Sequence, residues 1–137
     1  MASQLTLSVV TPEHEIVRAQ VDEVELPGTE GYFGVLPGHT AMLATLTVGR
    51  LTYRQGAERH TMAVAFGFAE VLPDRVTVLA QLAERAEDID VTRATSARDR
   101  AAARLSRLES DLDYERARTA LDKATLRLEI ASRVRRA

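Results

Sequence analysis

Four cations stand at helical spacings in the C-terminal third of this chain, and anion binding is the chemistry they offer. Arg93 and Arg100 lie seven residues apart, nearly on one face of a helix. Lys123 and Arg127, at i and i+4, share a face of a second helix. If the two helices close on each other, all four can point toward a common space. Asp90 and Glu84, just upstream, offer hydrogen-bond acceptors at its edge. Acceptors for a ribose or base amine beside cations for phosphates are the parts of a nucleotide site. The same residues have a plainer reading: arginines on an amphipathic helix are usually a solvated face, and an aspartate at a helix start is usually a cap.

No other constellation suggests catalysis. The chain has no Gly-rich phosphate loop followed by Lys-Ser/Thr and no serine in a strained elbow motif. With 0 cysteines there is no thiolate nucleophile, no disulfide scaffold and no thiolate metal site. His14, His39 and His60 are scattered without helical spacing, which argues against a histidine metal site. No apolar run approaches the roughly 20 residues that span a bilayer, and the N-terminus carries charges where a signal peptide needs an apolar stretch. A binding or regulatory protein is expected, with no required cofactor and any membrane association made through a partner.

The elements that must position these cations divide at residues 83–94. All 7 glycines and all 4 prolines precede that seam, and residues 88–137 contain neither. Residues 1–87 carry 6 basic and 11 acidic side chains, against 12 and 9 in residues 88–137, so an acidic half adjoins a basic one. A basic helical half suits an anionic ligand or surface. Two domains are therefore expected, at 1–87 and 88–137.

The first half alternates with period two. Leu5, Leu7 and Val9 alternate with hydroxyls, Val24 and Leu26 with glutamates, and Leu51 and Tyr53 with polar residues. Met62, Val64, Phe66 and Phe68 share one parity, and Val76–Leu79 follows a Pro73-Asp74 turn. Short strands with turn signals about every ten residues predict a β-sandwich or flattened barrel. The stretch from Pro27 to Gly34 is too glycine-rich for continuous strand and should form a loop, as should Pro37-Gly38-His39, where a Pro-Gly pair is ordinary turn chemistry.

The second half changes to helical period. Ala94, Ala97, Ala101, Leu105 and Leu108 form one stripe; Tyr114, Ala117, Leu121, Ala124, Leu128 and Ala131 form another. Ser110–Asp113 interrupts them, with Asp113 the expected N-cap of the second helix. So short a link predicts an antiparallel hairpin. Alanine dominates both stripes, which allows close approach but buries little area. The hairpin is expected to be a thin, weakly held module. The fold class is thus α+β, a sandwich followed by a two-helix hairpin.

Several segments together resemble a known family. They are Val9-Val10-Thr11-Pro12, Gly34-Val35-Leu36-Pro37-Gly38-His39, Gly67-Phe68-Ala69-Glu70-Val71, Val76–Ala80, the seam Ala83–Asp90, and Asp113-Tyr114. In this order and at these intervals the chain is similar, essentially from end to end, to the epsilon subunit of bacterial rotary (F-type) ATP synthase. The resemblance implies a non-catalytic rotor subunit of the central stalk, which couples proton flow to ATP synthesis mechanically. It implies partners in the gamma subunit and the ring of c subunits, and a place on the cytoplasmic face of the cell membrane, peripheral and held through the complex. The loop with Tyr32, Pro37, Gly38 and His39 would face the ring. The hairpin would lie folded, or extend into the catalytic alpha/beta head and block ATP hydrolysis.

In some bacterial members the folded form binds ATP through an Ile-Asp-x-x-Arg-Ala motif, which Ile89–Ala94 reproduces. By that resemblance Glu84, Ile89, Asp90, Arg93, Arg100 and Arg127 match nucleotide contacts, with ATP as a regulatory ligand. Lys123 stands where those members carry arginine, so the charge stays but the bidentate fork is lost. Tyr32 stands where relatives often have glutamate or glutamine, and Phe66 replaces a family glycine. The alternative from the residues alone is a free-standing interaction protein whose basic hairpin binds nucleic acid or another helix. Against nucleic acid, only 4% of residues are aromatic and the net charge is −2, so base stacking is poorly provided for.

Overall fold

The computed structural model describes residues 4–107 and 111–135. They form two compact units, residues 1–85 and 86–137. Eight strands make the first: β1 (Leu5–Val10), β2 (Glu15–Val21), β3 (Glu23–Gly28), β4 (Gly31–Val35), β5 (Met42–Leu46), β6 (Gly49–Gln55), β7 (Glu58–Leu72) and β8 (Arg75–Arg85). The hydrogen-bonded order is β2-β1-β8-β7-β5-β3-β4, with β6 pairing both β3 and β7. Because β5 also pairs both of those strands, β3, β6, β7 and β5 close a circuit, and the sheet folds over on itself as a sandwich. Among the described strands only β1 and β8 run parallel.

Alternation places the core as the sequence predicts. Leu5, Leu7 and Val9 of β1, Val24 and Leu26 of β3, and Leu51 of β6 are fully buried in one cluster with Val76 and Val78. Each such side chain contributes about 1.5–3 kcal/mol. Two-residue turns join β6 to β7 at Gly56-Ala57 and β7 to β8 at Pro73-Asp74.

Two expectations need correction here. Pro27 to Gly34 is not a loop: β3 and β4 form an antiparallel hairpin through it, with Pro27 opposite Tyr32 and Gly28 opposite Gly31. A Cβ at Gly28 would meet the Gly31 carbonyl at 2.8 Å, so glycine here permits close strand pairing rather than breaking it. The shared parity of Met62 to Phe68 also fails. Met62 and Val64 are buried, but farther along β7 it is Ala69 and Val71 that are buried, and Phe68 is exposed. Phe66 (φ 58) and Gly67 (φ 125) turn the strand over between them. Gly67 is obligatory, since a Cβ there would clash with the Leu79 carbonyl oxygen.

The second unit opens with a 3₁₀ turn, Ala86–Asp88, followed by α1 (Val91–Leu105) and α2 (Asp111–Arg135). The helices pack on each other, and α2 also packs on the 3₁₀ turn. Residues 106–110 alone separate them, so they can only run antiparallel. Ala94 and Ala101 of α1 and Ala117, Ala124 and Ala131 of α2 are buried, as the stripes predict, but Tyr114, the first member of the second stripe, is exposed near the start of α2; Leu108 and Ser110 lie outside the described residues. Leu126 and Ile130 bury a further face of α2 that the single stripe omits. Asp113 is not the N-cap. It lies inside α2, two residues beyond Asp111, where a carboxylate in the first turn still complements the helix dipole.

Candidate functional site

The N-terminus of α1 is set by Asp90. Its backbone is extended (φ −81°, ψ 101°), and its Oδ1 accepts the Arg93 backbone N–H at 3.0 Å. That cap satisfies one of the donors that a helix start leaves unpaired and fixes where Arg93 leaves the helix. Ile89, immediately before it, is buried; Arg93 and Arg100 are exposed.

Between α1 and α2 runs a groove of about 420 Å³ lined by Ala97, Glu115, Arg116, Thr119, Ala120, Lys123 and Arg127. Lys123 and Arg127 are therefore brought together, as their spacing predicts. Arg93 and Arg100 do not line the groove. They stand about one turn to either side of Ala97, which does, on the same face of α1. Glu84 belongs to the other unit, on β8 opposite Ala63.

The groove adds two charged residues that sequence reasoning missed, Glu115 and Arg116. The signal was there: Arg116, Ala120, Lys123 and Arg127 follow i, i+4, i+7, i+11. Three other arginines of this unit sit in ion pairs. Arg98 lies 3.4 Å from Asp99, Arg118 3.3 Å from Asp122, and Arg133 3.2 Å from Glu129, all solvent-exposed pairs that add little stability. The groove falls within the usual size of ligand pockets and presents three cations against one carboxylate. Arg116, Lys123 and Arg127 make the groove cationic, Lys123 as a compact charge without the planar fork of arginine.

The sandwich offers surfaces. Leu36-Pro37-Gly38-His39 is a type II turn: the His39 N–H donates to the Leu36 carbonyl at 3.2 Å, and Gly38 has φ 86°, as that turn requires. The Gly38 N–H donates to the Pro73 carbonyl at 2.7 Å, fastening the turn to the β7–β8 connection. Tyr32 lies on β4. Its hydroxyl accepts the Arg50 backbone N–H at 3.1 Å, and the Arg50 guanidinium covers its ring at 5.0 Å. Tyr32 also lines a hollow of about 510 Å³ with Phe33, Met42 and Leu43. On the outer face, Phe68 pairs with Leu79 across β7 and β8, and both are exposed, as is Leu43 on β5. Leu43 stands opposite Glu70 and Phe68 opposite Thr45 across β5 and β7, so these apolar side chains share the face with polar ones.

The chain thus carries an exposed apolar face on its sandwich and a cationic groove between its helices. The sequence profile of the ATP synthase Delta/Epsilon chain beta-sandwich domain matches residues 4–86, and that of its long alpha-helix domain matches residues 87–132. The ATP synthase epsilon chain of Solibacter usitatus is 52% identical over 101 residues, covering 74% of this chain and 75% of that one. The epsilon chain of Syntrophobacter fumaroxidans is 51% identical over 104 residues, covering 76% and 78%. A chain in the cryo-EM structure of the Euglena gracilis mitochondrial ATP synthase shares the fold with a TM-score of 0.81 at 24% identity, covering 96% of this chain and 83% of that one. A chain of the Tetrahymena thermophila central stalk and c-ring gives 0.62 at 12% identity, covering 93% and 96%. The chain belongs to the epsilon-chain family of ATP synthase, a non-catalytic subunit of that complex.

Proposed function

We propose that the two units divide the work of a rotor subunit in the central stalk, the sandwich transmitting torque and the helices regulating hydrolysis. The sandwich holds the gamma subunit and the ring of c subunits, so that proton translocation is coupled to ATP synthesis. The observation that carries this reading is the apolar face of Leu43, Phe68 and Leu79, which remains exposed. The turn at Pro37-Gly38-His39 and the Arg50-backed Tyr32 face the ring. Aromatic packing replaces an acidic contact at Tyr32. The family resemblance, and chains of the same fold in ATP synthase assemblies that include the c-ring, support these partners. Among the described residues no helix is long and apolar enough to cross a membrane. As a subunit of the complex, the chain is held at the cytoplasmic membrane face through its partners.

The helical unit acts as a brake. Folded, it takes ATP as a regulatory ligand: the phosphates lie along Arg116, Lys123 and Arg127, flanked by Arg93 and Arg100. Ile89 and Asp90 serve the nucleoside end. Extended, it enters the catalytic alpha/beta head and stops hydrolysis. Truncation after residue 87 in the assembled enzyme tests the division directly. Hydrolysis should rise while proton-coupled synthesis persists; loss of coupling together with the helices would show that the units do not divide the work. A calorimetric titration of the isolated chain with ATP should give heat that Arg127→Ala abolishes, and a silent titration at millimolar ATP removes the ligand.

A further inference from the structure

The last strand of the sandwich is supported on only half its length. β8 pairs with β7 throughout, Leu72–Arg75 to Met62–Arg85, but β1 accompanies it only from Arg75 to Leu79. At that level β1 ends, and β7 turns over at Phe66 and Gly67. Residues 80–85 therefore have strand neighbours on one side alone. A strand end paired on one side opens more readily than one paired on both. Ala86, the next residue, begins the helical unit, so any movement of the helices pulls on this end.

A side-chain contact spans the open side. The Arg85 guanidinium forks onto the carbonyl oxygen of Ile16, Nη2 at 2.9 Å and Nε at 3.3 Å. Ile16 is the extra residue of a bulge: Val9 pairs with Val17 and Val10 with Glu15, leaving Ile16 without a partner on β1. Bulges leave a residue of the ladder unpaired and re-aim the strand, and here the re-aimed carbonyl meets a charged donor. A hydrogen bond with an ionised donor is about twice as strong as a neutral one.

We infer that Arg85 is a positioning residue that pins the unsupported end of β8 to the bulge of β2, and so fixes the hinge at Ala86. With the pin in place, the sandwich stays rigid up to the seam. Without it, residues 80–85 fray with the hinge, and the helices leave the folded form more often. The regulatory half of this inference rests on the brake reading; the structural half does not.

The test uses Arg85→Ala, Arg85→Lys and the wild type. In the isolated full chain, hydrogen exchange at residues 80–85 should quicken about five-fold or more in Arg85→Ala, leave residues 75–79 unchanged, and fall between the two in Arg85→Lys, which keeps a donor but not the fork. Unchanged exchange at 80–85 overturns the pin. In the assembled enzyme, Arg85→Ala should lower ATP hydrolysis by about two-fold or more, and should change nothing in the chain truncated after residue 87. Faster exchange with unaltered hydrolysis, where truncation alone does raise hydrolysis, overturns the hinge role and leaves a purely structural contact. If truncation itself leaves hydrolysis unchanged, the brake reading fails, and the exchange result alone decides the pin.

Discussion

In the sandwich, Leu5, Leu7, Leu26 and Leu51 are sealed from solvent, whereas α1 buries Ala94 and Ala101, and α2 buries Ala117, Ala124 and Ala131 with Leu126 and Ile130. The two units thus hold together by different means. Large branched side chains bury apolar area and resist opening in proportion to it. Alanines let two backbones come close but remove little area from water, so the helical pair gains less per residue. The proposed division of work, a torque-bearing anchor beside a reversible brake, calls for that contrast: one must not open under load, and the other must open cheaply.

The strongest break of the comparison is on the sandwich side. Leu51→Ala should cost about 2–5 kcal/mol through lost transfer energy and a cavity, read as a drop in the melting temperature of the whole chain. Next is the cap of α1. Asp90→Ala removes the acceptor for the Arg93 N–H and should cost about 1 kcal/mol. That loss should fall on the helices alone, visible as reduced helicity and faster exchange in 91–105 while strand exchange is unchanged. Global destabilisation would mean that the units do not respond independently.

A smaller effect, opposite in sign, lies at Phe66. A non-glycine residue in the left-handed region costs about 1–2 kcal/mol, and glycine returns part of that as unfolded-chain entropy. Phe66→Gly should therefore stabilise the sandwich by under about 1 kcal/mol, measured by denaturant unfolding. Destabilisation would show that the ring contributes more packing than its backbone costs.

The smallest effect is electrostatic. The Asp22 carboxyl is held below its ordinary value, first by the Gly56 backbone N–H at 2.6 Å, then by Gln4 at 3.3 Å, with Arg54 adding charge. A carboxylate whose folded value is depressed adds stability above its unfolded value and loses it as pH falls through the folded one. Stability should thus decline with acid below about pH 4, and Asp22→Asn should flatten that decline. Parallel curves for the two chains would contradict it.

Much of this was legible in the residues, for physical reasons. Alternation marked β1, β3, β6 and β8 because each buries one face, and the alanine and leucine stripes marked both helices. What was hidden depended on partners distant in sequence. β2, β4 and β5 carry weak alternation, since edge position or outward-facing apolar residues such as Leu43 blur it. Glycine at 28 and 31 reads as a breaker, yet here it lets β3 and β4 approach. The parity switch in β7 needs a left-handed phenylalanine, which no local rule anticipates. In the groove, Lys123 and Arg127 were readable from spacing, while the place of Ala97 between Arg93 and Arg100 depended on how the helices meet. The Arg85–Ile16 contact spans 69 positions and rests on a bulge, so no pattern in the chain foretells it.

Residue-resolved hydrogen exchange on the full chain bears most directly on the contrast between anchor and brake. Amides of α1 and α2 should open at free energies clearly below those of β1, β7 and β8, in a step separate from global unfolding. Helices that exchange as slowly as the strand core, through one shared opening, would mean that the chain is a single cooperative body and that its helices are no brake.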